Sequence, residues 1–365
     1  MTVWLLAGGG TAGHVNPLLA VADTLRRRAP GDEVLVLGTR EGLEARLVPE
    51  RGYELVPIPR LPFPRRPDLA ALRFGPAFNQ TVRELTRTLT ERGVDVVAGF
   101  GGYAAAPAYL AAKRARLPLA LHEANARPGL ANRLGARLTD SVGVAFAGTP
   151  LRGARVVGMP LRREIETLDR SSMRPEALSF FGLDPDRPVL LVTGGSLGAR
   201  RINATILESA PDILAAGWSI LHIVGGRAEV SDPHLADYRM LEYCDRMDLA
   251  LAAADFAVSR AGAATVSELT ALGVPAVYVP YPVGNGEQRF NARGVVGSGG
   301  AVLVEDASFL PGQVRRDLIP LLADRQRIDA MAVASAAHGV LDGADRTADL
   351  LEEALAGSAS RRSLG

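Results

Sequence analysis

Short runs of β-branched and aliphatic residues alternate along this chain with longer stretches whose apolar residues recur every three or four positions. Such alternation is typical of βα repeats built around parallel sheets. In the first half of the chain, the apolar runs predict strands at residues 3–7, 33–37, 94–98 and 117–121.

The stretches between these strands predict helices. The first is expected to begin at Asn16-Pro17, because asparagine suits an N-cap and proline suits the first helical position. A second is expected over residues 68–92, with an interruption near Gly75-Pro76 where the pattern meets two poor helix formers.

The pattern starts again at Pro188, with a strand at 189–193, a glycine loop, and a helix from Ala199. A strand–glycine loop–helix opening therefore occurs twice, around Gly9 and Gly195, and two tandem Rossmann-like domains explain it. Their join is expected between residues 157 and 188. Further strands are predicted at 219–224, 255–258, 276–279 and 301–304. A last helix at 345–355 precedes a Ser/Arg/Gly tail that is expected to be disordered.

Composition narrows the class of protein. With 365 residues, of which 47% are hydrophobic and 22% charged, the chain suits two soluble α/β domains. Its 41 basic and 40 acidic residues leave a net charge of +1, so no bulk field favours nucleic acid. The only cysteine, Cys244, fits a reducing compartment. No leader or apolar run of membrane-spanning length is visible, and we expect a soluble or peripheral cytoplasmic protein.

The first glycine loop follows a strand and precedes a helix, where free backbone amides favour an anion. Gly8, Gly10 and Gly13 match the dinucleotide fingerprint G-x-G-x-x-G. An NAD enzyme would carry an acidic residue at the end of the second strand, and Glu41 comes too late for that role. NADP bound through Arg40 stays open, as does a packing turn without a ligand.

The second glycine loop, Gly194 to Gly198, also lies between a strand and a helix and can offer backbone amides to an anion. It adds the Ser196 hydroxyl, which suits a diphosphate. Two such loops indicate two phosphate-bearing ligands, or one such ligand and an acceptor. That arrangement is unusual for a dehydrogenase with one cofactor.

An ordered set of motifs makes the pattern specific. These motifs are Gly9-Gly-Thr-Ala-Gly-His14 with Asn16-Pro17, Gly101-Gly-Tyr103, His122-Glu-Ala-Asn125, Gly194-Gly-Ser-Leu-Gly-Ala199 and Gly262-Ala-Ala-Thr-Val-Ser-Glu268. In this order they resemble the MurG family of bacterial peptidoglycan glycosyltransferases. The resemblance runs from Leu6 to about Asn291, and its strength lies in the set rather than in any single motif.

The resemblance implies an α/β fold of the GT-B type, with two Rossmann-like doubly wound parallel-sheet domains facing across a cleft. Residues 1–160 with a returning helix at 341–357 would form the acceptor and membrane-facing domain, and residues 161–340 the UDP-GlcNAc donor domain. It also implies inverting transfer of N-acetylglucosamine from UDP-GlcNAc to lipid I, undecaprenyl-pyrophosphoryl-MurNAc-pentapeptide. The place implied for the protein is the cytoplasmic side of the inner membrane, as a peripheral protein.

On the acceptor side, the resemblance gives His14 the role of catalytic base or acceptor contact. The start of a helix disfavours imidazolium and would keep this ring neutral, although a histidine here also serves as a structural cap. The accompanying acceptor-binding residues are Thr11, Gly13, Gly102 and Tyr103.

On the donor side, Glu268 is expected to accept the ribose hydroxyls and the residues before it to offer amides to the diphosphate. Cys244, near Met247, falls where the family holds uracil. The alternatives are an Asx turn at Asn125, a solvated linker arginine at Arg162 and a surface carboxylate at Glu268. The full donor-binding set is Thr11, Gly13, Asn125, Arg162, Ser196, Cys244, Ala263, Ala264, Thr265, Glu268, Glu287 and Gln288.

Two positions depart from the family. Glu287 stands where the family commonly has glutamine or histidine, and Leu197 replaces a frequent glutamine, which leaves the sugar preference open. The resemblance implies no requirement for a metal or another cofactor. Asp184-Pro-Asp186 spells D-x-D, a motif that binds a divalent ion in another glycosyltransferase fold. Here it precedes a strand beside prolines, so we expect a turn.

The leaving UDP would be stabilised by loop amides and helix N-termini.

A lipid-linked acceptor implies a membrane-facing surface, and residues 61–78 combine apolar anchors with arginines as an anionic bilayer surface requires. A core-facing helix with a basic edge explains the segment equally well. The residues concerned are Phe63, Leu69, Leu72, Phe74 and Phe78 with Arg65, Arg66 and Arg73.

Other functions stay open for the same motifs. A UDP-GlcNAc epimerase would bind the same donor without a lipid, and another glycosyltransferase would use a different acceptor. A non-catalytic UDP-sugar sensor would bind without turnover. A nucleotide-dependent oxidoreductase would bind NADPH.

Overall fold

The computed structural model describes residues 1–61, 69–195, 198–283 and 286–362, the side chains of 69–73 and 358–362 excepted. The chain divides into two compact units. Unit 1 comprises Met1–Arg162 with Asp342–Gly365, and unit 2 comprises Arg163–Leu341.

Unit 1 is built on a seven-stranded parallel sheet in the order β3-β2-β1-β4-β5-β6-β7. Its central strands are fully buried apolar runs, as expected for a sheet that is covered on both faces. The strands are β1 Val3–Ala7, β2 Glu33–Gly38, β3 Glu54–Pro57, β4 Val96–Gly99, β5 Leu119–Glu123, β6 Ser141–Val144 and β7 Ala154–Val156.

The helices of unit 1 cover the two faces of this sheet. Because successive side chains of a strand point to opposite faces, Leu5 packs in the cluster that holds Tyr109 of α4, whereas Leu6 packs with Leu18 of α1 and Leu351 of α15. These helices are α1 Ala12–Arg28, α2 Glu44–Glu50, α3 Leu69–Glu91, α4 Ala105–Ala115, α5 Leu130–Gly135 and α15 Gly343–Arg362.

Unit 2 repeats this architecture with a six-stranded parallel sheet in the order β10-β9-β8-β11-β12-β13. Its strands are β8 Val189–Thr193, β9 Ser219–Ile223, β10 Tyr238–Leu241, β11 Phe256–Ser259, β12 Ala276–Tyr278 and β13 Ala301–Leu303. Its helices are α6 Arg163–Glu166, α7 Arg170–Phe181, α8 Arg200–Ala215, α9 Met247–Ala253, α10 Ala263–Ala271, α11 Glu287–Gly297, α12 Pro311–Gln313, α13 Ile319–Ala323 and α14 Arg325–Ala336, with a 3₁₀ turn Asp306–Ser308 and a π-helical turn Val314–Leu318.

The expected fold class, two Rossmann-like parallel α/β units, is confirmed. Each predicted strand matches a strand of the structure to within two residues at either end. The pattern missed β3, β6, β7 and β10, which have three or four residues each. The edge strands β3 and β7 are half-exposed, so they lack the apolar run that marks the central strands.

Three helix predictions were wrong. Helix α1 begins at Ala12 with Thr11 as its N-cap, and Pro17 lies inside it. Helix α3 runs through Pro76 without interruption, because proline removes only one helical hydrogen bond and Val82, Leu85 and Leu89 still pack in the core at helical spacing. The tail predicted to be disordered continues α15 as far as Arg362.

Candidate functional site

Strand order reverses between β1 and β4 in unit 1, and the loops that follow these two strands lie side by side at the carboxyl edge of the sheet. Parallel α/β sheets bind their ligands at such switch points. The two loops touch through glycines: a Cβ at Gly102 would lie 2.2 Å from the Gly9 carbonyl oxygen. Gly102 also has a φ of +80°, so the position requires glycine on two grounds.

The first glycine loop ends in the N-terminus of α1. Gly10 has a φ of +86°, and Thr11 returns to an extended conformation as the N-cap. The Thr11 carbonyl oxygen accepts hydrogen bonds from the amides of His14 and Val15, both at 3.1 Å. His14 therefore lies in the first turn of the helix, and Thr11 and Gly13 are exposed beside it.

The His14 ring is held from one side. Its Nδ1 atom lies 3.2 Å from the Gly9 carbonyl oxygen and 3.1 Å from the Thr11 hydroxyl oxygen. Burial lowers the pKa of His14 below 6.5, and the nearby carboxylates of Glu123 and Glu44 and the Gly9 carbonyl only partly oppose this shift. The imidazole is accordingly neutral at pH 7.

Glu123 ends β5, and its side chain is buried. Its Oε1 atom accepts the Asn125 amide at 2.9 Å, and its Oε2 atom accepts the Gly129 amide and the Asn132 side-chain nitrogen, both at 3.0 Å. Asn132 also accepts the Tyr109 hydroxyl at 2.6 Å. This buried network fixes the loop that carries Asn125.

Tyr103 lies beside the glycine loop and is 38% exposed. A Cβ at Gly10 would lie 3.6 Å from the Tyr103 ring, so the ring covers the turn at that glycine. The Arg60 guanidinium carbon is 5.7 Å from the centroid of the same ring. An aromatic ring and a cation therefore lie beside the first glycine loop.

The corresponding switch point of unit 2 lies between β8 and β11. Ser196 and Leu197 lie outside the described residues. On either side of them, Gly195 and Gly198 have φ values of +84° and +80°, in the left-handed region that favours glycine. After β11, Gly262 is the extended N-cap of α10, so the partly exposed Ala263, Ala264 and Thr265 form the first turn, whose amides have no partner within the helix.

Arg260, between β11 and α10, joins three loops at this edge. Its guanidinium donates to the carbonyl oxygens of Val279 and Pro280 at 3.0 and 3.2 Å, and to the Asp306 carboxylate at 2.6 Å. The loops after β8, β11, β12 and β13 line a cavity of about 650 Å³. Sequence reasoning missed Arg260, because its partners lie up to 46 residues away and no local motif marks it.

The remaining donor-side candidates fall on separate elements of unit 2 or at its boundary. Glu268 is half-buried in α10, and Cys244 is buried just before α9. Glu287 begins α11, and the Gln288 side-chain oxygen accepts the Tyr281 amide at 2.8 Å. Arg162, the last residue of unit 1 before its return, is half-buried.

The D-x-D segment forms the expected turn, in which an oxygen of Asp184 accepts the Asp186 amide at 2.9 Å. Across residues 1–61, 69–195, 198–283 and 286–362, no three His, Cys, Asp or Glu side chains are grouped as metal ligands.

Two family models match the chain. Residues 4–144 match the glycosyltransferase family 28 N-terminal domain, and residues 189–347 match the family 28 C-terminal domain. A Leifsonia xyli subsp. xyli protein, a UDP-N-acetylglucosamine--N-acetylmuramyl-(pentapeptide) pyrophosphoryl-undecaprenol N-acetylglucosamine transferase, is 67% identical over 97% of this chain and 99% of its own length.

The chain belongs to the MurG glycosyltransferases of family 28.

Solved structures agree with this membership. The Acinetobacter baumannii MurG crystal structure matches with a TM-score of 0.78 and 29% identity, covering 97% of this chain and all of that one. A Neisseria meningitidis UDP-GlcNAc 2-epimerase matches with a TM-score of 0.68 and 16% identity, covering 97% of this chain and all of that one. The epimerase shares the fold alone, whereas the MurG glycosyltransferases share the sequence along nearly the whole chain.

For this MurG chain, the structure brings His14, Thr11, Gly13, Gly102 and Tyr103 together in unit 1. It also shows Glu44 and Asn132 at the same loops, and sequence reasoning missed both. Neither residue lies in a recognisable motif, because Glu44 contacts Gly10 across 34 residues and Asn132 contacts Tyr109 across 23.

Proposed function

We propose that this chain transfers N-acetylglucosamine from UDP-GlcNAc to the 4-hydroxyl of the MurNAc residue of lipid I, which gives lipid II for peptidoglycan synthesis. Sequence identity of 67% to the Leifsonia xyli subsp. xyli N-acetylglucosamine transferase described above supports the reaction. The single structural observation that supports the chemistry is the His14 ring, whose Nδ1 atom lies 3.2 Å from the Gly9 carbonyl oxygen and whose pKa burial lowers.

His14 acts as the general base. The Gly9 carbonyl oxygen can only accept a hydrogen bond, so this contact assigns the proton of the neutral ring to Nδ1 and leaves the Nε2 lone pair to accept a proton. The MurNAc hydroxyl loses its proton to Nε2 as its oxygen attacks the anomeric carbon of the donor sugar.

The acceptor binds unit 1 through its diphosphate. The exposed amides around Thr11 and Gly13 at the start of α1 favour an anion, and the Gly102 and Tyr103 turn flanks them. The sugar and the peptide of the acceptor extend from there.

The donor binds chiefly to unit 2. The first turn of α10, at Ala263, Ala264 and Thr265, offers amides to the UDP diphosphate, and Glu268 accepts the ribose hydroxyls. Cys244 forms part of the wall beside uracil, and Ser196, Glu287 and Gln288 complete the contacts of unit 2 to the diphosphate and sugar.

One bond forms and one breaks. The new bond joins the MurNAc 4-oxygen to the anomeric carbon, and the bond from that carbon to the UDP oxygen breaks, so the α-linked donor becomes a β-linked product. The negative charge that develops on UDP is stabilised by the amides of the loops and of α10. No metal takes part in this scheme.

Peripheral binding to the cytoplasmic face of an anionic membrane is part of the proposal, because the acceptor carries a lipid. Within the part of the chain that the structure describes, no helix has the length and apolar character to cross a bilayer. Phe63, Arg65 and Arg66, and the side chains of Leu69, Leu72 and Arg73, lie outside the described residues. Phe74 and Phe78 are stacked with ring centroids 5.4 Å apart and are half-buried, and Phe78 packs against the core of unit 1.

The test mixes purified protein with UDP-GlcNAc and a short-chain lipid I analogue without added metal, and products are read by mass spectrometry. We expect free UDP and a disaccharide-bearing lipid. UDP-GlcNAc binding without either product would overturn the proposal in favour of a sensor. Conversion of the sugar nucleotide without lipid product would favour an epimerase.

A further inference from the structure

Glu44, the first residue of α2, lies beneath the first glycine loop and is completely buried. Its Oε2 atom accepts the Gly10 amide at 2.9 Å. Its Oε1 atom accepts the Thr39 amide at 2.9 Å and the Thr39 hydroxyl at 2.8 Å. The carboxylate thus joins the loop after β1 to the end of β2.

The chain leaves room for this side chain at three glycines. A Cβ at Gly9, Gly38 or Gly42 would lie 2.4, 2.5 or 2.2 Å from a Glu44 side-chain atom. Real Cβ atoms do not approach other heavy atoms so closely. Any larger residue at these three positions would therefore collide with the Glu44 side chain. Burial acts to raise the pKa of Glu44, but the Gly10 and Thr39 hydrogen bonds outweigh it, so the pKa falls below its ordinary value and the group is a carboxylate.

The contact between Glu44 and Gly10 reaches His14 through one peptide bond. The Gly10 N–H that donates to Glu44 and the Gly9 carbonyl oxygen that lies 3.2 Å from His14 Nδ1 belong to the same planar peptide group. Fixing one end of that plane fixes the other. Hydrogen bonds in such a series also polarise one another, which strengthens the contact at the imidazole.

We propose that Glu44 is a positioning residue for His14, acting through the Gly9–Gly10 peptide so that Nδ1 keeps the proton and Nε2 points to the acceptor hydroxyl. This inference rests on the proposed function of His14 as the base. It also means that the Gly10 amide serves the protein rather than the diphosphate, which leaves the amides that follow it to bind the anion.

The main variant is Glu44→Gln. A glutamine has one acceptor oxygen, and with that oxygen at Thr39 its NH₂ group faces the Gly10 N–H, so the loop contact is lost while the Thr39 contacts remain. Thr39→Val is the matched control, because it removes the hydroxyl donor from the other carboxylate oxygen and leaves the Gly10 bond intact.

We expect Glu44→Gln to lower kcat at saturating substrates by about 10- to 100-fold, with the KM for UDP-GlcNAc unchanged, because small misplacements of a base cost that much. Thr39→Val is expected to keep the wild-type kcat. Wild-type kcat in Glu44→Gln, or an equal loss in both variants, would overturn the proposal. If Glu44→Gln does not fold, Glu44→Asp, which keeps the charge but shortens its reach by one methylene, is measured under the same criteria.

A second measurement separates this proposal from the proposed function. The ¹⁵N shifts of the His14 ring report its tautomer without any turnover, and we expect the Nδ1–H form in wild type and a mixture of tautomers in Glu44→Gln. Unchanged ring shifts in Glu44→Gln would overturn the positioning role even in an active enzyme. A wild-type protein that forms no lipid II, with ring shifts that still respond to Glu44→Gln, would overturn the proposed function alone.

Discussion

The side-chain nitrogen of Asn132 donates a 3.0 Å hydrogen bond to the buried carboxylate of Glu123. The same nitrogen donates to the His122 carbonyl oxygen at 3.0 Å, so both of its protons are directed at acceptors. An amide is the only uncharged side-chain group of this size that supplies two protons in this geometry. The loop that carries Asn125 therefore depends on an amide at position 132.

Asn132→Asp should destabilise unit 1 strongly. It replaces the shared donor with an oxygen that faces two acceptors, and a buried unsatisfied or like-charged contact of this kind costs about 2–4 kcal/mol. Urea unfolding followed by Trp4 fluorescence in a Trp218→Phe background reports unit 1, since Trp4 belongs to its core. Arg133→Asp, at the neighbouring exposed position, is the control and should unfold near the wild-type midpoint. An Asn132→Asp midpoint equal to wild type would contradict the network as described.

His14 should set the acidic limb of the pH profile. Activity needs the neutral ring, and burial lowers its pKa, so kcat should stay level as the pH falls from 8 to 6.5 and decline only below 6.5. His14→Gln should lower kcat by about 10²–10⁴-fold and remove this limb, with UDP-GlcNAc binding by calorimetry unchanged. Unchanged turnover at saturating substrates would remove His14 from the mechanism.

Glu268→Ala should act on the donor rather than on the chemistry. Losing hydrogen bonds from the ribose hydroxyls to a carboxylate costs about 1.5–3 kcal/mol, which corresponds to a rise of about 10- to 150-fold in the KM for UDP-GlcNAc. Titration with UDP alone measures the same loss without a sugar. Glu287→Ala is the comparison, since its proposed contact is to the sugar and UDP binding should survive it. Equal UDP affinity in wild type and Glu268→Ala would place the ribose elsewhere.

Unit 2 should lose stability in mild acid through His222. Its Nδ1 atom lies 2.6 Å from the Tyr238 hydroxyl oxygen and its Nε2 atom 3.1 Å from the Asn203 side-chain oxygen, and burial lowers its pKa to about 4. Below pH 6.5 the His222 imidazole binds a proton in the unfolded chain, whereas in the folded unit it stays neutral until the pH approaches 4. The free energy of unfolding is therefore at its full value above pH 6.5 and declines as the pH falls to 4, by about 3 kcal/mol.

Unfolding of unit 2 is followed through Trp218, which lies in its core, in a Trp4→Phe background. His222→Gln should flatten the pH dependence of the unfolding free energy between pH 6.5 and 4. The exposed His234 of the same unit provides the control, and His234→Gln should keep the wild-type slope. A slope that survives His222→Gln would assign the acid sensitivity to another group.

Phe74→Ser should weaken binding to vesicles of anionic lipid, measured by co-sedimentation, if the stacked phenylalanines contribute to a membrane surface. Phe78→Ser should do the same but also lower stability, because Phe78 packs against the core of unit 1. Phe180 of unit 2 is 58% exposed, so Phe180→Ser controls for the loss of a surface aromatic ring. If Phe74→Ser binds vesicles as well as wild type does, the membrane-binding interpretation is wrong and the core-facing interpretation of this helix holds.

The central strands and both glycine loops were predictable because each is a local pattern of apolar runs and glycines. The beginning of α1 was not, because Asn16-Pro17 has the right local chemistry but the Thr11 carbonyl accepts the amides that begin the helix earlier. The site divides in the same way. His14 and Tyr103 lie in recognisable motifs, whereas Glu44 contacts a loop 34 residues away and carries no local mark.

Helix α15 has a consequence for the order in which the chain is made. Its Ala348 and Leu351 fill the same core as Leu6 and Leu18, and Arg28 pairs with Asp345 across 317 residues of sequence. On the ribosome, the first Rossmann-like unit therefore emerges with one flank of its sheet open, and unit 2 leaves the exit tunnel before that flank is covered. The nascent amino-terminal half exposes apolar surface throughout this interval, and a chain truncated before Asp342 would keep that surface permanently uncovered.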